Sequence, residues 1–157
     1  MKIELQKLSV ADAPKWLELQ VEAYTPLLEK YQDYETSPAA ETLEKQIERM
    51  GSSFQEHFFI LMDGEIVGGV RTAWWTDTTR YRLSSIFILP RFQDLGIGQI
   101  AMNLVEALYP NANSWELDTL LQENRNLHFY EKLGYRREGE EQIVNGKLTL
   151  VFYKKYL

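Results

Sequence analysis

The stretch from Gln93 to Gly98 combines residue types that can bind an anionic group. Its two glycines, Gly96 and Gly98, lie between a strand-like apolar run that ends at Leu89 and a helix-like run that begins at Gln99. Glycine has no Cβ atom, so the backbone can approach a ligand closely, and the first N–H groups of a helix have no partner within it. Because those groups lie at the positive end of the helix dipole, the pattern predicts a phosphate site. An ordinary turn that requires glycine is the alternative interpretation.

A second informative stretch runs from Asn124 to Tyr135. Its apolar residues Leu127, Tyr130 and Leu133 indicate one buried face of a short helix, and Gly134 fits the position that ends it. This structural interpretation does not explain why the stretch accompanies a glycine loop upstream in the same chain.

The composition narrows the class of protein. The chain has 157 residues, 45% of them hydrophobic and 25% charged, which predicts one soluble domain spanning residues 1–157. Its net charge of −6 argues against a general nucleic-acid binder, which needs a basic face. The absence of cysteine excludes disulfides and a thiol nucleophile. The N-terminus lacks the apolar core of a signal peptide and no apolar run is long enough for a membrane span, so we expect a cytoplasmic protein without a membrane partner.

The elements that must position these motifs begin with helices. Ser9–Asp12 resembles a capping box and predicts a helix after it. Pro26 predicts that this helix ends, with a second short helix running to Tyr31. Ser37-Pro38 predicts another helix start, and Gly51 its end. The helix after the glycine loop is predicted to bury the stripe Ile100, Leu104, Val105 and Leu108.

Strand signals dominate the rest of the chain. Asp63-Gly64 and Asn145-Gly146 are typical of hairpin turns. The predicted strands that matter for the motifs are Tyr81–Leu89, Trp115–Thr119, Arg136–Gln142 and Leu148–Lys154. A mixed sheet with helices before and after it indicates the α+β or mixed α/β class.

Together the two motifs resemble those of the GNAT superfamily of N-acetyltransferases. Gln93-x-x-Gly96-x-Gly98 is similar to its pyrophosphate loop, and Phe129-Tyr130-x-x-x-Gly134-Tyr135 to its C-terminal motif. The order of the elements matches across nearly the whole chain, although the N-terminal third carries little motif. The resemblance implies a mixed, mostly antiparallel central sheet of about six to seven strands flanked by about four helices.

The resemblance also implies a cosubstrate and the residues that bind it. Acetyl-CoA, or another acyl-CoA, would be the donor, an amine of a small molecule or peptide the acceptor, and a homodimer is allowed. The amides of Leu95 to Gly98 would bind the pyrophosphate, whose phosphates would exclude a Cβ atom at Gly98, and Gln93 would contact it or hold the loop. The strand Ile86–Leu89 would splay from Trp115–Asp118 and pair with the pantetheine arm. The predicted cofactor contacts are Phe87, Ile88, Leu89, Gln93, Asp94, Leu95, Gly96, Ile97, Gly98, Gln99, Tyr130, and Asn124 or Asn126.

Acyl transfer from a thioester needs a neutral amine, a polarised carbonyl and a proton for the leaving thiolate. A backbone N–H in Phe87–Leu89 would stabilise the developing oxyanion. Tyr130 is the predicted general acid, because a phenol remains protonated at neutral pH; the alternative is a packed aromatic whose hydroxyl caps a backbone group. Asp118, at the predicted end of its strand, is the candidate base, with a turn hydrogen bond as the simpler interpretation. Glu22 and Asp77 are weaker candidates.

The acceptor is less well defined by the sequence. The acidic balance favours cationic acceptors by electrostatic steering, but polyamines, aminoglycosides, amino acids and proteins all stay open. His57 and His128 lack the spacing of metal ligands, so no metal is predicted. Aromatic residues that line an acceptor cleft, or simply pack in the core, are Tyr24, Trp74, Trp75 and Tyr81.

Two rival functions remain. Gly96-Ile97-Gly98-Gln99-Ile100-Ala101 formally fits the dinucleotide fingerprint of an oxidoreductase, with Asp118 downstream as its ribose-binding carboxylate. The insertion of Pro90 to Leu95 before the first glycine and the antiparallel hairpins argue against it. The second rival is a non-catalytic acyl-CoA sensor, which the lack of a carboxylate in Tyr81–Leu89 favours.

Overall fold

A computed structural model describes residues 1–76 and 79–157 of the chain. Within these residues one sheet is built from eight strands: β1 (Ile3–Lys7), β2 (Gln55–Met62), β3 (Glu65–Trp74), β4 (Arg80–Ile88), β5 (Ser114–Leu120), β6 (Arg136–Arg137), β7 (Gln142–Asn145) and β8 (Leu148–Tyr156). Their spatial order is β1-β2-β3-β4-β5-β8-β6, and β7 also pairs with β8. Neighbouring strands are antiparallel except β4 and β5, which confirms the predicted mixed, mostly antiparallel sheet.

The predicted strand Arg136–Gln142 is extended only at its two ends: β6 covers Arg136–Arg137, and β7 begins at Gln142 and continues to Asn145. Gly139 lies between them with φ +91°, a left-handed conformation that interrupts an extended strand. The division raises the number of strands above the six to seven expected.

Four α-helices are present in the described part of the chain: α1 (Ala13–Tyr31), α2 (Leu43–Met50), α3 (Ile97–Ala107) and α4 (Asn124–Lys132). The capping box before α1 is confirmed, since the Asp12 carboxylate accepts a hydrogen bond from the Ser9 N–H at 2.9 Å. Among residues 1–76 and 79–157, none of the helices combines the length and apolarity that a membrane span requires.

The predicted break at Pro26 is wrong, because α1 continues through it to Tyr31. A proline inside a helix removes one hydrogen bond and costs about 3 kcal/mol. Packing on both sides offsets that cost: Trp16 is fully buried before the proline, and Tyr31 is buried after it. The side chain of Pro26 itself is exposed.

The sheet carries hydrophobic clusters on both faces. Under α1, Trp16 and Leu19 pack against Phe59, Phe87 and Leu89. On the opposite face, α3 packs against the larger cluster with the buried residues Ile97, Ala101, Met102 and Val105. The predicted stripe was therefore only partly right, since Val105 is buried but Ile100 and Leu108 are exposed.

The parallel pair β4 and β5 separates soon after it begins. Pairing joins Arg80–Arg82 to Ser114–Glu116, and no further pair joins these strands within the described residues. Beyond that point β4 stays with β3, while β5 stays with β8 along its whole length. The predicted splay between the two strands is confirmed, and we call the opening the wedge.

Candidate active site

The wedge opens into a cleft of about 990 Å³. The walls come from β4, β5, α1, α4 and the loop before α3. Most residues singled out from the sequence line it, namely Phe87, Ile88, Gln93, Asp94, Gly96, Ile97, Gly98, Gln99, Asp118, Asn126 and Tyr130.

The loop before α3 presents a row of backbone N–H groups. Gly96 precedes the helix with φ +79° and Asp94 has φ +64°, so two left-handed residues turn the chain into α3. The amides of residues 94–99 have no hydrogen-bond acceptor among residues 1–76 and 79–157. Such a row at a helix N-terminus is complementary to a phosphate group.

Gly98 brings the two sequence motifs into contact. A Cβ atom at this position would lie 3.3 Å from the ring of Phe129 and 3.9 Å from Ile88. The spacing to the ring is tighter than ordinary van der Waals contact. The protein itself therefore limits the space at Gly98, which the sequence had attributed to the phosphates alone.

Gln93 holds the loop against the strand. Its Nε2 atom donates a hydrogen bond to the carbonyl of Ile88 at 3.0 Å. Of the two candidate asparagines, Asn126 lines the cleft, whereas Asn124 is exposed and lies outside the lining. The side chain of Leu95 is half-exposed and also lies outside it.

The backbone of β4 points alternate groups into the wedge. Leu89 donates its N–H to the Val67 carbonyl at 2.9 Å and its side chain is fully buried, so Leu89 faces away from the cleft. Because groups alternate along an antiparallel strand, Ile88 points its N–H and carbonyl away from β3. Consistently, the carbonyl of Ile86 accepts from the Tyr24 hydroxyl at 3.0 Å, as that of Ile88 does from Gln93. Within the predicted segment, Ile88 is the residue whose N–H faces the wedge.

Tyr130 brings a phenol into the cleft from α4. The residue is 8% exposed and packs against Phe129 at a ring-centroid distance of 5.0 Å. Its hydroxyl has no hydrogen-bond partner among the described residues, so the capping role considered as the alternative is not seen. Burial, together with the nearby Tyr24 and Asp118, raises the pKa of the Tyr130 phenol well above its usual range. The phenol keeps its proton at neutral pH.

Asp118 lies inside β5 and not at its end, which corrects the sequence prediction. It pairs with Phe152 of β8, and its carboxylate forms an ion pair with Arg82. Arg82 is the last β4 residue that pairs with β5, so this ion pair marks the apex of the wedge. Of the weaker candidates, Glu22 is exposed and pairs with Arg91, and Asp77 lies outside the described residues.

Comparison with known proteins agrees with this geometry. The model of the GNAT acetyltransferase family matches residues 13–135. This chain belongs to that family.

One relative in sequence and two in fold illustrate these similarities. The Bacillus subtilis (strain 168) protein YrkN is 29% identical over 136 residues, which cover 85% of this chain and 73% of YrkN. An acetyltransferase from Thermus thermophilus has a similar structure, with a TM-score of 0.77 and 17% identity over 100% of this chain and 98% of that one. The PaiA N-acetyltransferase from Thermoplasma acidophilum, solved in complex with coenzyme A, gives a TM-score of 0.76 with 18% identity and full coverage of both chains.

The GNAT fold removes the oxidoreductase alternative. A doubly wound dinucleotide-binding sheet consists mostly of parallel strands, whereas this GNAT sheet has one parallel pair in its described part. The downstream Asp118, which the fingerprint would assign to a ribose, is held in the ion pair with Arg82.

The aromatic residues predicted to line an acceptor cleft of this GNAT protein lie elsewhere, except Tyr24. Trp74 and Tyr81 pack against Tyr109 at ring-centroid distances of 5.9 and 4.7 Å. Trp75 stacks against the guanidinium of Arg80 at 3.9 Å. Only Tyr24 of these four faces the cleft. The strand aromatics pack against one another, which is their more common role.

The sequence missed a cluster of charged groups at the α1–α2 end of the GNAT cleft. Arg49 and Glu41 form a bidentate pair there, with distances of 2.8 and 2.6 Å. Arg71 of β3 lies in the same part of the cleft, as does the Arg82–Asp118 pair. These residues come from five separate segments of the chain, so the cluster leaves no motif in the sequence.

Two further features concern ions. Arg125 of α4 forms an ion pair with Asp94 of the glycine loop at 2.7 Å, and this pair connects two walls of the cleft. In the residues that the structure covers, no group of three or more His, Asp or Glu side chains is arranged to hold a metal ion.

Proposed function

We propose that this chain transfers an acetyl group from acetyl-CoA to an amine by direct attack, with Tyr130 as the general acid. The observation that carries the proposal is the wedge: β4 and β5 separate beside a loop of unpaired amides. An extended donor can pair with a free strand edge while its phosphates bind the loop. The coenzyme A bound to the structurally similar PaiA protein supports this choice of donor.

The phosphates would bind the amides of residues 94–99, near the positive end of α3. Asn126 and Gln99, which both line the cleft, would add polar contacts. The pantetheine arm would follow β4 along Ile86 and Ile88, whose backbone groups face the wedge. The thioester would then lie near Tyr130.

The reaction needs one bond to form and one to break. The amine nitrogen attacks the thioester carbonyl carbon, and the Ile88 N–H stabilises the charge that develops on the carbonyl oxygen. The C–S bond then breaks, and the Tyr130 hydroxyl gives its proton to the thiolate. The amine loses a proton to Asp118, directly or through water. That proton returns to Tyr130 through solvent, and the amide product and free coenzyme A leave.

Two features of Tyr130 support its role. Its hydroxyl has no acceptor among the described side chains, so its proton is available to the cleft. Tyr24 and Tyr31 also line the cleft, but both hydroxyls are engaged: Tyr24 donates to the Ile86 carbonyl and Tyr31 to the Glu123 carboxylate.

The decisive experiment supplies acetyl-CoA and a panel of amines and follows release of free thiol. Thiol release that depends on the amine and yields the N-acetylated product supports the proposal. Tight acetyl-CoA binding without turnover on any amine would instead identify a non-catalytic sensor. The cytoplasmic location and the homodimer stay predictions, to be checked by fractionation and by light scattering.

A further inference from the structure

The charged groups at the α1–α2 end of the cleft do not balance. Arg49 is paired with Glu41, and Arg82 with Asp118. Arg71 is the third cation there, and it has no carboxylate within ion-pair distance among residues 1–76 and 79–157. Counted over Glu41, Arg49, Arg71, Arg82 and Asp118, three cations meet two carboxylates, so this cluster carries one surplus positive charge, although the chain as a whole has a net charge of −6. Asp33, which also lines the cleft, accepts hydrogen bonds from Thr36.

Arg71 is directly connected to the strand that borders the wedge. It lies opposite Ser85 in the β3–β4 ladder, where Ser84 forms a bulge because Thr72 pairs with Leu83. The Ser85 hydroxyl lies 3.2 Å from that of Tyr24, which in turn donates to the Ile86 carbonyl. From Ser85 to Ile88 the strand advances about 10 Å, so a small molecule can contact both Arg71 and the proposed acetyl position.

Arg71 is partly buried, and an unpaired cation in such a place is costly, so a ligand of opposite charge would offset the cost. The Arg71 Nε atom is buried and has no hydrogen-bond partner. Burial, followed by the neighbouring charge of Arg49, lowers the pKa of the Arg71 guanidinium to about 10, with Glu41 opposing the shift. The group is still protonated at neutral pH.

The planar guanidinium can donate two parallel hydrogen bonds, and a carboxylate accepts both. Among the common groups of a small amine substrate, a carboxylate therefore fits Arg71 best. His57, opposite Arg71 in the β2–β3 ladder, has a pKa lowered to about 3, first by burial and then by the charges of Arg71 and Arg49. It is neutral at physiological pH and does not compete for an anion.

We propose that the acceptor is a small amino carboxylic acid, and that Arg71 binds its carboxylate while its amine reaches the thioester. The inference rests on the proposed acetyl transfer and names its substrate class. A polyamine has no group for Arg71 and would meet the surplus positive charge. The local charge thus favours the opposite kind of acceptor from the one that the net charge of the chain suggests.

The test compares matched acceptors, each an amino acid and the amine formed from it by loss of the carboxylate, with wild type and Arg71→Met. Methionine keeps most of the length of the side chain and removes the charge. In wild type we expect kcat/KM to be at least about 10-fold higher for the amino acid than for the amine. Arg71→Met should raise the KM of the amino acid by about 10- to 100-fold, with little change for the amine or for acetyl-CoA.

Two further variants serve as controls. Arg71→Lys keeps the charge but cannot donate two parallel hydrogen bonds, so its KM for the amino acid should lie between those of wild type and Arg71→Met. Arg137→Gln removes a surface arginine that pairs with Glu141 and should leave both KM values unchanged. Thermal unfolding of each variant verifies that it is folded.

The outcomes separate this inference from the proposed function. Equal turnover of amino acids and amines, unaffected by Arg71→Met, would overturn the inference and leave acetyl transfer intact. If no acceptor releases thiol, acetyl transfer fails, and calorimetry of amino-acid binding decides about Arg71 by itself. Binding that Arg71→Met abolishes would then support the carboxylate site, and no binding to wild type would overturn it.

Discussion

A Cβ atom on Gly98 would lie 3.3 Å from the ring of Phe129, so the glycine loop and the Phe129-Tyr130 motif meet in a single contact. This contact explains why two motifs so far apart in sequence occur together. The loop that presents amides to a phosphate is positioned by the aromatic residue next to the proposed acid.

Gly98→Val should press the side chain against Phe129 and displace the first turn of α3. Overpacking of this kind costs about 1–3 kcal/mol, and we expect the Kd for acetyl-CoA to rise by about 10-fold. Urea unfolding and isothermal calorimetry measure the two effects. The double variant Gly98→Val, Phe129→Ala should recover part of the lost stability and part of the lost affinity for acetyl-CoA.

Gly96→Ala is the matched control for this pair. Nothing lies within 4 Å of a Cβ at Gly96, but its φ of +79° strains any other residue by about 1–2 kcal/mol. Phe129→Ala should not relieve that strain. If Phe129→Ala also fails to rescue Gly98→Val, the ligand phosphates and not the aromatic ring require glycine at position 98.

Tyr130→Phe should lower kcat by about 10²- to 10⁴-fold, because it removes the proton donor to the leaving thiolate. The ring and its packing remain, so the Kd for acetyl-CoA should change little. Tyr24→Phe is the control for loss of a cleft hydroxyl and should have the smaller effect on kcat. Because the pKa of Tyr130 is raised, its ionisation should not appear in the pH–rate profile below about pH 10. Turnover of Tyr130→Phe at the wild-type rate would contradict the acid role.

Asp118→Asn tests whether the carboxylate accepts a proton or positions Arg82. A base role predicts a low kcat at neutral pH that recovers as the pH rises and more of the amine is free. A positioning role predicts that Arg82→Gln loses as much activity as Asp118→Asn, with no recovery at high pH. Complete pH–rate profiles of both variants distinguish the two roles.

His57 should make the protein less stable in acid. Its folded-state pKa of about 3 lies below the ordinary value of 6.5, so the unfolded chain binds the extra proton between these limits. The stability that depends on a neutral His57 is therefore fully present above about pH 6.5. Below that pH the free energy of unfolding falls by about 1.4 kcal/mol per pH unit. His57→Leu should flatten this slope in urea unfolding at pH 7, 6 and 5. An unchanged slope would assign acid sensitivity to other groups, such as the Glu41–Arg49 pair.

Local turn chemistry allowed much of the fold to be predicted. Asp63 and Gly64 both have positive φ, as a two-residue hairpin turn requires, and they join β2 and β3 directly. The glycine loop could be recognised from the sequence because its conformation, too, is set by neighbouring residues. Pro26 shows the limit, because packing distant in sequence decided that α1 would continue.

The acceptor end could not be predicted from the sequence. Arg71 is one arginine on a strand, and its lack of a partner is visible only when Glu41 and Asp118 are seen to be occupied by other cations. The tryptophans were prominent in the sequence but serve packing. A surplus charge depends on the whole environment of a group and not on residue type.

The short pairing of β4 with β5 has a consequence for the energetics of the molecule. Two strands that could form a continuous ladder are held apart by their other neighbours, so their facing edges keep hydrogen-bonding capacity that the sheet does not use. A sequence that closed this ladder to its end would gain stability and lose the channel. Backbone hydrogen bonds that could have stabilised the sheet are thus available to an extended ligand that binds between the strands.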